Sequence, residues 1–165
     1  MLKKNIEINR LFNDMKLIME SWRRYLKEGD EDLSNTLFFL KSEWGKEKGV
    51  WDHVGFILED GNMKDMSGHR GEMAAPIIST WNDMRQDNEF SHIPETTKEA
   101  EDQGLYKTMS IGKTVRVPDG IVCRTDDPEK NSENCGSFVF NVLHNADIDP
   151  SFLKSKDYMV VGHEF

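Results

Sequence analysis

Residues 51–68 read WDHVGFILEDGNMKDMSG. An apolar run from Val54 to Leu58 is followed by Asp60-Gly61 and then by a second alternating stretch. Asp-Gly between two strand-length segments is a hairpin signal. The pattern predicts a strand over 53–58, a turn at Asp60-Gly61 and a second strand over 62–67. Loop length then decides which side chains share a face, because successive residues of a strand point to opposite sides. His53 and Asp65 share a face only if the loop holds an odd number of residues or a bulge intervenes. A two-residue turn would set Phe56 opposite Asp65 and point Asp65 away from His53.

Working outward, TLFFLKSEW (36–44) is an apolar run of strand length, and GKEKG (45–49) reads as a polar turn. On the N-terminal side, Leu11, Met15, Ile18, Trp22 and Tyr25 recur at steps of three or four, beside Phe12, Met19 and Leu26. This predicts an amphipathic helix over about 5–28 that ends at Gly29 and packs on its own domain. On the C-terminal side, residues 69–112 lack a clear pattern and read as an insertion or lid. Within them PETTKEAEDQG (94–104) suggests a short acidic helix stopped by Gly104, and IISTW (77–81) fits strand or helix. TVRVPDGIVCR (114–124) reads as two short strands around Pro118-Asp119-Gly120. CGSFVFNVLHN (135–145) reads as a helix, with Phe138, Val139, Val142 and Leu143 on one face. DYMVVG (157–162) reads as a last strand. The sum is an α+β domain spanning 1–165, with helices packed on a largely antiparallel sheet.

Composition bounds the partners. The 165 residues are 37% hydrophobic and 31% charged, as in folded proteins. The net charge of −9 argues against a nucleic-acid surface and an anionic membrane surface. No stretch reaches the roughly 20 apolar residues of a membrane span. The N-terminus has charges threaded through it, unlike a secretory signal, so a cytoplasmic protein is expected. Nine Met, many Asn and Asp and few Ala fit an AT-rich or viral genome. Cys123 and Cys135 are too few for a disulfide framework and are expected as thiols.

Cys135 stands where a polar loop meets the predicted helix. The first N–H groups of a helix lack internal partners and carry partial positive charge. A thiolate is stabilised there, and the same N–H groups can hold the oxyanion of a tetrahedral intermediate. Gly136 and Ser137 leave room for a substrate carbonyl, and Asn134 or Ser132 can cap the helix. The competing reading is a buried helix cysteine; for Cys123, on a predicted strand, a core role is the favoured reading. A thiolate nucleophile also needs a positioned base. Of the histidines, His144 lies at the far end of the helix, and His92 and His163 stand in polar or terminal contexts. His53 opens an apolar strand, where it is either a fixed base or a structural core residue.

DHVGFILEDGNMKD followed later by ENCGSFVFNVL resembles the circularly permuted branch of the NlpC-type papain-like cysteine hydrolases, which includes the lecithin:retinol acyltransferase-like proteins. The resemblance covers roughly residues 36–68 and 120–145. It implies a permuted papain-like fold in which His53 is the base, Asn134, Cys135, Phe138 and Val139 form the nucleophile motif, and Asp65 is the third residue. His69 is the alternative orienting residue. It further implies a thioester intermediate and an amide, peptide, cell-wall or acyl-lipid substrate. The sequence shows no EF-hand, HExxH, CxxC pair, P-loop or dinucleotide fingerprint, so no metal or cofactor is expected. A second function class fits the same fold: a non-catalytic binding factor, for instance a viral one that blocks a host protein, with Cys135 buried and of ordinary reactivity.

Overall fold

The structure is a computed structural model that describes residues 2–29, 32–67, 75–86, 92–120 and 134–155. It divides into two units, residues 1–31 and 32–165. The first holds one helix, α1 (Leu2–Gly29). On this helix Leu11 is 62%, Met15 56% and Trp22 61% exposed. No helix among the described residues is long and apolar enough to cross a membrane.

The second unit is α+β. Its strands are β1 (Leu33–Leu40), β2 (His53–Leu58), β3 (Met63–Ser67), β4 (Ala75–Ser79) and β5 (Tyr106–Arg116). They form one antiparallel sheet in the order β4-β3-β2-β1-β5. Its helices are α2 (Glu43–Lys48), α3 (Trp81–Gln86), α4 (Thr97–Asp102) and α5 (Cys135–Asn145).

The unbroken apolar run of β1 follows from burial on both faces: Leu37, Phe38, Phe39 and Leu40 are all at 0% exposure. On one face Leu37, Phe39, Val54, Phe56 and Leu58 meet Phe138, Val139, Val142 and Leu143 of α5. Phe56 and Phe138 make an edge-to-face pair with centroids 5.9 Å apart. On the other face Phe38, Leu40 and Met63 pack with Met84 of α3, Ala100 of α4 and Ile93, Leu105 and Tyr106.

Three sequence readings change. The segment 45–49 is not a turn but most of α2. Ser42 caps it by accepting from the Gly45 N–H at 3.2 Å, and Gly49 ends it at φ 70°. The described part of 69–112, which showed no clear pattern, supplies β4, two covering helices and most of β5. β4 sits at the sheet edge, where Pro76 can do without a ladder donor. Finally, β5 begins eight residues before Thr114. A bulge opposite Ser34–Thr36 and Gly112, at φ 88°, let it bend while it pairs with β1. The segments 121–124 and 157–162 lie outside the described residues.

One charged residue is built into this core. Lys64, 1% exposed, gives its three ammonium donors to Asp32 Oδ2 at 2.6 Å, Asp119 Oδ1 at 2.7 Å and the Val117 carbonyl at 3.1 Å. The ammonium ties β3 to the start of β1 and to the segment after β5. Lys64 lowers the pKa of Asp119, first through the hydrogen bond and then through its charge. The partners are unequal, since the Asp119 side chain is 92% exposed and that of Asp32 25%. Replacing both carboxylates strands a buried ammonium, which costs about 3–5 kcal/mol. Removing the lysine leaves carboxylates that water can reach. Urea denaturation should therefore find Asp32→Asn/Asp119→Asn more destabilised than Lys64→Met, with Asp119→Asn alone the mildest.

Candidate active site

The β2–β3 loop holds three residues, Glu59-Asp60-Gly61. The Leu58 N–H donates to the Asn62 carbonyl at 2.7 Å, and the Gly61 N–H donates to the Leu58 carbonyl at 2.9 Å. Gly61 takes φ 87°, and the Asp60 carboxylate accepts from the Asn62 N–H at 2.9 Å. This is the three-residue hairpin, a tight turn closed by a left-handed residue. Its odd length sets Phe56 opposite Lys64 and Ile57 opposite Met63. The same register sets Gly55 opposite Asp65 and leaves His53 diagonal to Asp65 on one face.

The two side chains meet: His53 Nε2 is hydrogen-bonded to Asp65 Oδ2. Gly55 makes room for this. A Cβ on Gly55 would stand 2.8 Å from the Asp65 Cβ and 2.6 Å from the Phe38 ring. Phe38 also flanks the imidazole, with ring centroids 6.1 Å apart. Just before β2, Asp52 accepts from the Ser42 N–H at 2.8 Å and from the Ser42 hydroxyl, holding the entry to His53 against α2.

The β2–β3 ladder stops at Phe56↔Lys64, short of His53 and Asp65. The start of α5 approaches β2 and β3, and Cys135, 6% exposed, hydrogen-bonds to His53. Asn134 is the helix cap: its side chain accepts from the Ser137 N–H at 2.9 Å, and Ser137 Oγ returns to the Asn134 backbone. Ser137 is thereby spent on the capping box. Its N–H is taken up by the Asn134 side chain, while the cap leaves the Cys135 and Gly136 amides at the first turn of α5.

The electrostatics of the imidazole are set by opposing influences. Burial alone lowers its pKa. The charge of Cys135, the Asp65 hydrogen bond, the hydrogen bond to Cys135 and the Asp65 charge together outweigh it and hold the pKa well above 6.5. Asp65 is itself 3% exposed, and its Oδ1 accepts no hydrogen bond among the described residues. An orphaned buried acceptor costs about 1–3 kcal/mol and is retained mainly where function requires it.

Sequence reasoning brought Cys135, His53, Asp65, Asn134 and Gly136 to one place. His69, Cys123, Ser132 and His163 lie outside the described residues. His92 is exposed and pairs with Glu43 at 3.4 Å, while exposed His144 stacks on Phe140 at the other end of α5. The reading missed Gly55, although a glycine amid bulky strand residues signals a close approach. It also missed Trp51, whose ring lies under Lys41 and Lys107 at 4.4 and 4.5 Å from its centroid and packs on the cluster that contains Cys135. A separate cleft of about 350 Å³ lies beyond the end of β1, lined by Lys41, Glu43, His92 and Leu105 among others; none of the three reactive groups lines it. Among the described residues no three His, Cys, Asp or Glu converge to hold a metal ion.

No family model matches the chain, and no curated protein or solved structure does either.

The raised His53 pKa has a defined sign. It stabilises the fold fully below the unfolded-state value of about 6.5, and that stabilisation is lost as pH rises through the folded-state value. NMR titration of the ring should place its midpoint well above 6.5 in the native chain and lower in Cys135→Ala, where the largest raising influence is gone. Gly55→Ala should cost about 1–3 kcal/mol of stability by overpacking and lower the midpoint by parting Asp65 from His53; an unmoved midpoint would show that the pair does not depend on this gap.

Proposed function

We propose that residues 32–165 form a permuted papain-like cysteine hydrolase or acyltransferase that cleaves an amide (peptide) or acyl bond. The observation that carries this reading is the single imidazole placed between a buried carboxylate and a cysteine at a capped helix start. Core packing does not require such a group, and it leaves one buried Asp65 oxygen without a hydrogen bond among the described residues.

The chemistry follows from the geometry. His53 takes the Cys135 proton, giving a thiolate–imidazolium pair. The sulfur attacks the carbonyl carbon, and the C=O electron pair moves to oxygen. The Cys135 and Gly136 amides stabilise that oxyanion. When the C=O re-forms, the leaving amine or alcohol departs with the proton from His53 and a thioester remains. Water, or an acceptor in the transferase case, gives a proton to His53, attacks the thioester and releases the thiol. Asp65 fixes the imidazole orientation and stabilises its charged form throughout.

Alkylation of Cys135 by iodoacetamide, followed against pH in a Cys123→Ala background, tests the pair. The rate should stay high well below pH ~8.5, the ordinary thiol range, and His53→Ala should return the profile to that range. On any amide or ester substrate found, Cys135→Ala should abolish turnover and His53→Ala should lower it about 10²–10⁴-fold. An ordinary rate indifferent to His53 would instead return the chain to the non-catalytic, partner-binding reading.

A further inference from the structure

We infer that α1 joins this chain to a second copy of itself as a parallel coiled coil. Seven exposed apolar residues of the helix keep a seven-residue repeat, and Leu17, 64% exposed, is the one that stands outside it among those described. Ile8, Met15 and Trp22 stand at one heptad position, Leu11 and Ile18 at a second, and Phe12 and Met19 at a third. All seven are exposed, from 50% at Ile8 to 68% at Phe12. In the sequence Tyr25 and Leu26 continue the second and third series. On a straight helix such a repeat drifts by about 20° per heptad, so a stripe that keeps it over three heptads matches a partner helix that supercoils with it. A flat surface imposes no such period.

The flanks of the stripe choose the partner and its direction. Asp14 lies on one edge, and Glu7 and Glu28 hold the same heptad position in the sequence. Lys16 lies on the other edge, with Arg23 at its heptad position. Two parallel copies set the acidic edge of one helix beside the basic edge of the other. Antiparallel copies would set like edges together, which is unfavourable. An anionic bilayer is a poorer occupant, because Asp14 at the stripe edge would meet the headgroups. The acyl-transfer chemistry plays no part in this argument.

Sedimentation equilibrium on the full chain tests it. The expected mass is twice the 19.1 kDa of one chain, and Met15→Glu/Ile18→Glu should be monomeric while keeping the melting transition of the 32–165 unit. Asp14→Lys should weaken association, and Asp14→Lys/Lys16→Glu should restore it, since exchanging both edges keeps them complementary only in the parallel arrangement. A monomer at all concentrations would overturn the inference, as would an oligomer that survives Met15→Glu/Ile18→Glu. So would a monomer that co-sediments with phosphatidylglycerol vesicles, and failure of the double charge exchange to restore association would overturn the parallel orientation.

Discussion

The loop between β2 and β3 has three residues, and that count governs more of the molecule than the identity of any one of them. With Glu59, Asp60 and Gly61 between the strands, the odd residues 53, 55 and 65 share one face and the even residues 54, 56 and 64 the other. One residue fewer would exchange the faces of β3. Asp65 would leave His53 and enter the apolar layer under α5, while Lys64 would lose Asp32 and Asp119. The hydrophobic core, the buried ammonium and the His53–Asp65 pair therefore rest on one local constraint. Gly61 secures it by taking a left-handed conformation that a side chain would disfavour.

Charge is handled differently on the two faces of β3. Lys64 has an acceptor for each of its donors, two of them carboxylates in contact with water. The result is a tie between three separated segments with no buried charge left uncompensated. Asp65 is held with one oxygen used and one orphaned, next to a ring whose charged form depends on a thiolate. The first arrangement suits a structural clamp. The second leaves a buried acceptor unsatisfied beside a buried ring, an asymmetry more typical of functional sites than of structural clamps.

Strand and helix signals carried most of the α+β class. The hairpin was legible because its alternation, Asp-Gly signal and length agree, and α5 because four apolar residues fall on one face. The Asn134 cap was one of two candidates, and the capping box with Ser137 decides between them. The short helices were harder. α2, between Ser42 and Gly49, has too few turns for periodicity to show, and its boundaries lie in two capping residues. The edge strand β4 was ambiguous because IISTW holds the end of a strand and the start of a helix. Loop parity could be posed from sequence but not answered, since two- and three-residue turns both accept Asp-Gly. The exposure of the α1 stripe was invisible for a different reason: amphipathicity tells which face is apolar, not what covers it.

Chain order adds a consequence for biosynthesis. His53 and Asp65 belong to the β1–β2–β3–β4 meander, in which each strand pairs with its sequence neighbour. Cys135 follows Asp65 by 70 residues. At ribosomal speeds of about 5–20 residues per second, that is an interval of roughly 4–14 s. During it, a nascent chain can assemble the hairpin before Cys135 is made. The thiol therefore arrives after His53 and Asp65 have had time to pair.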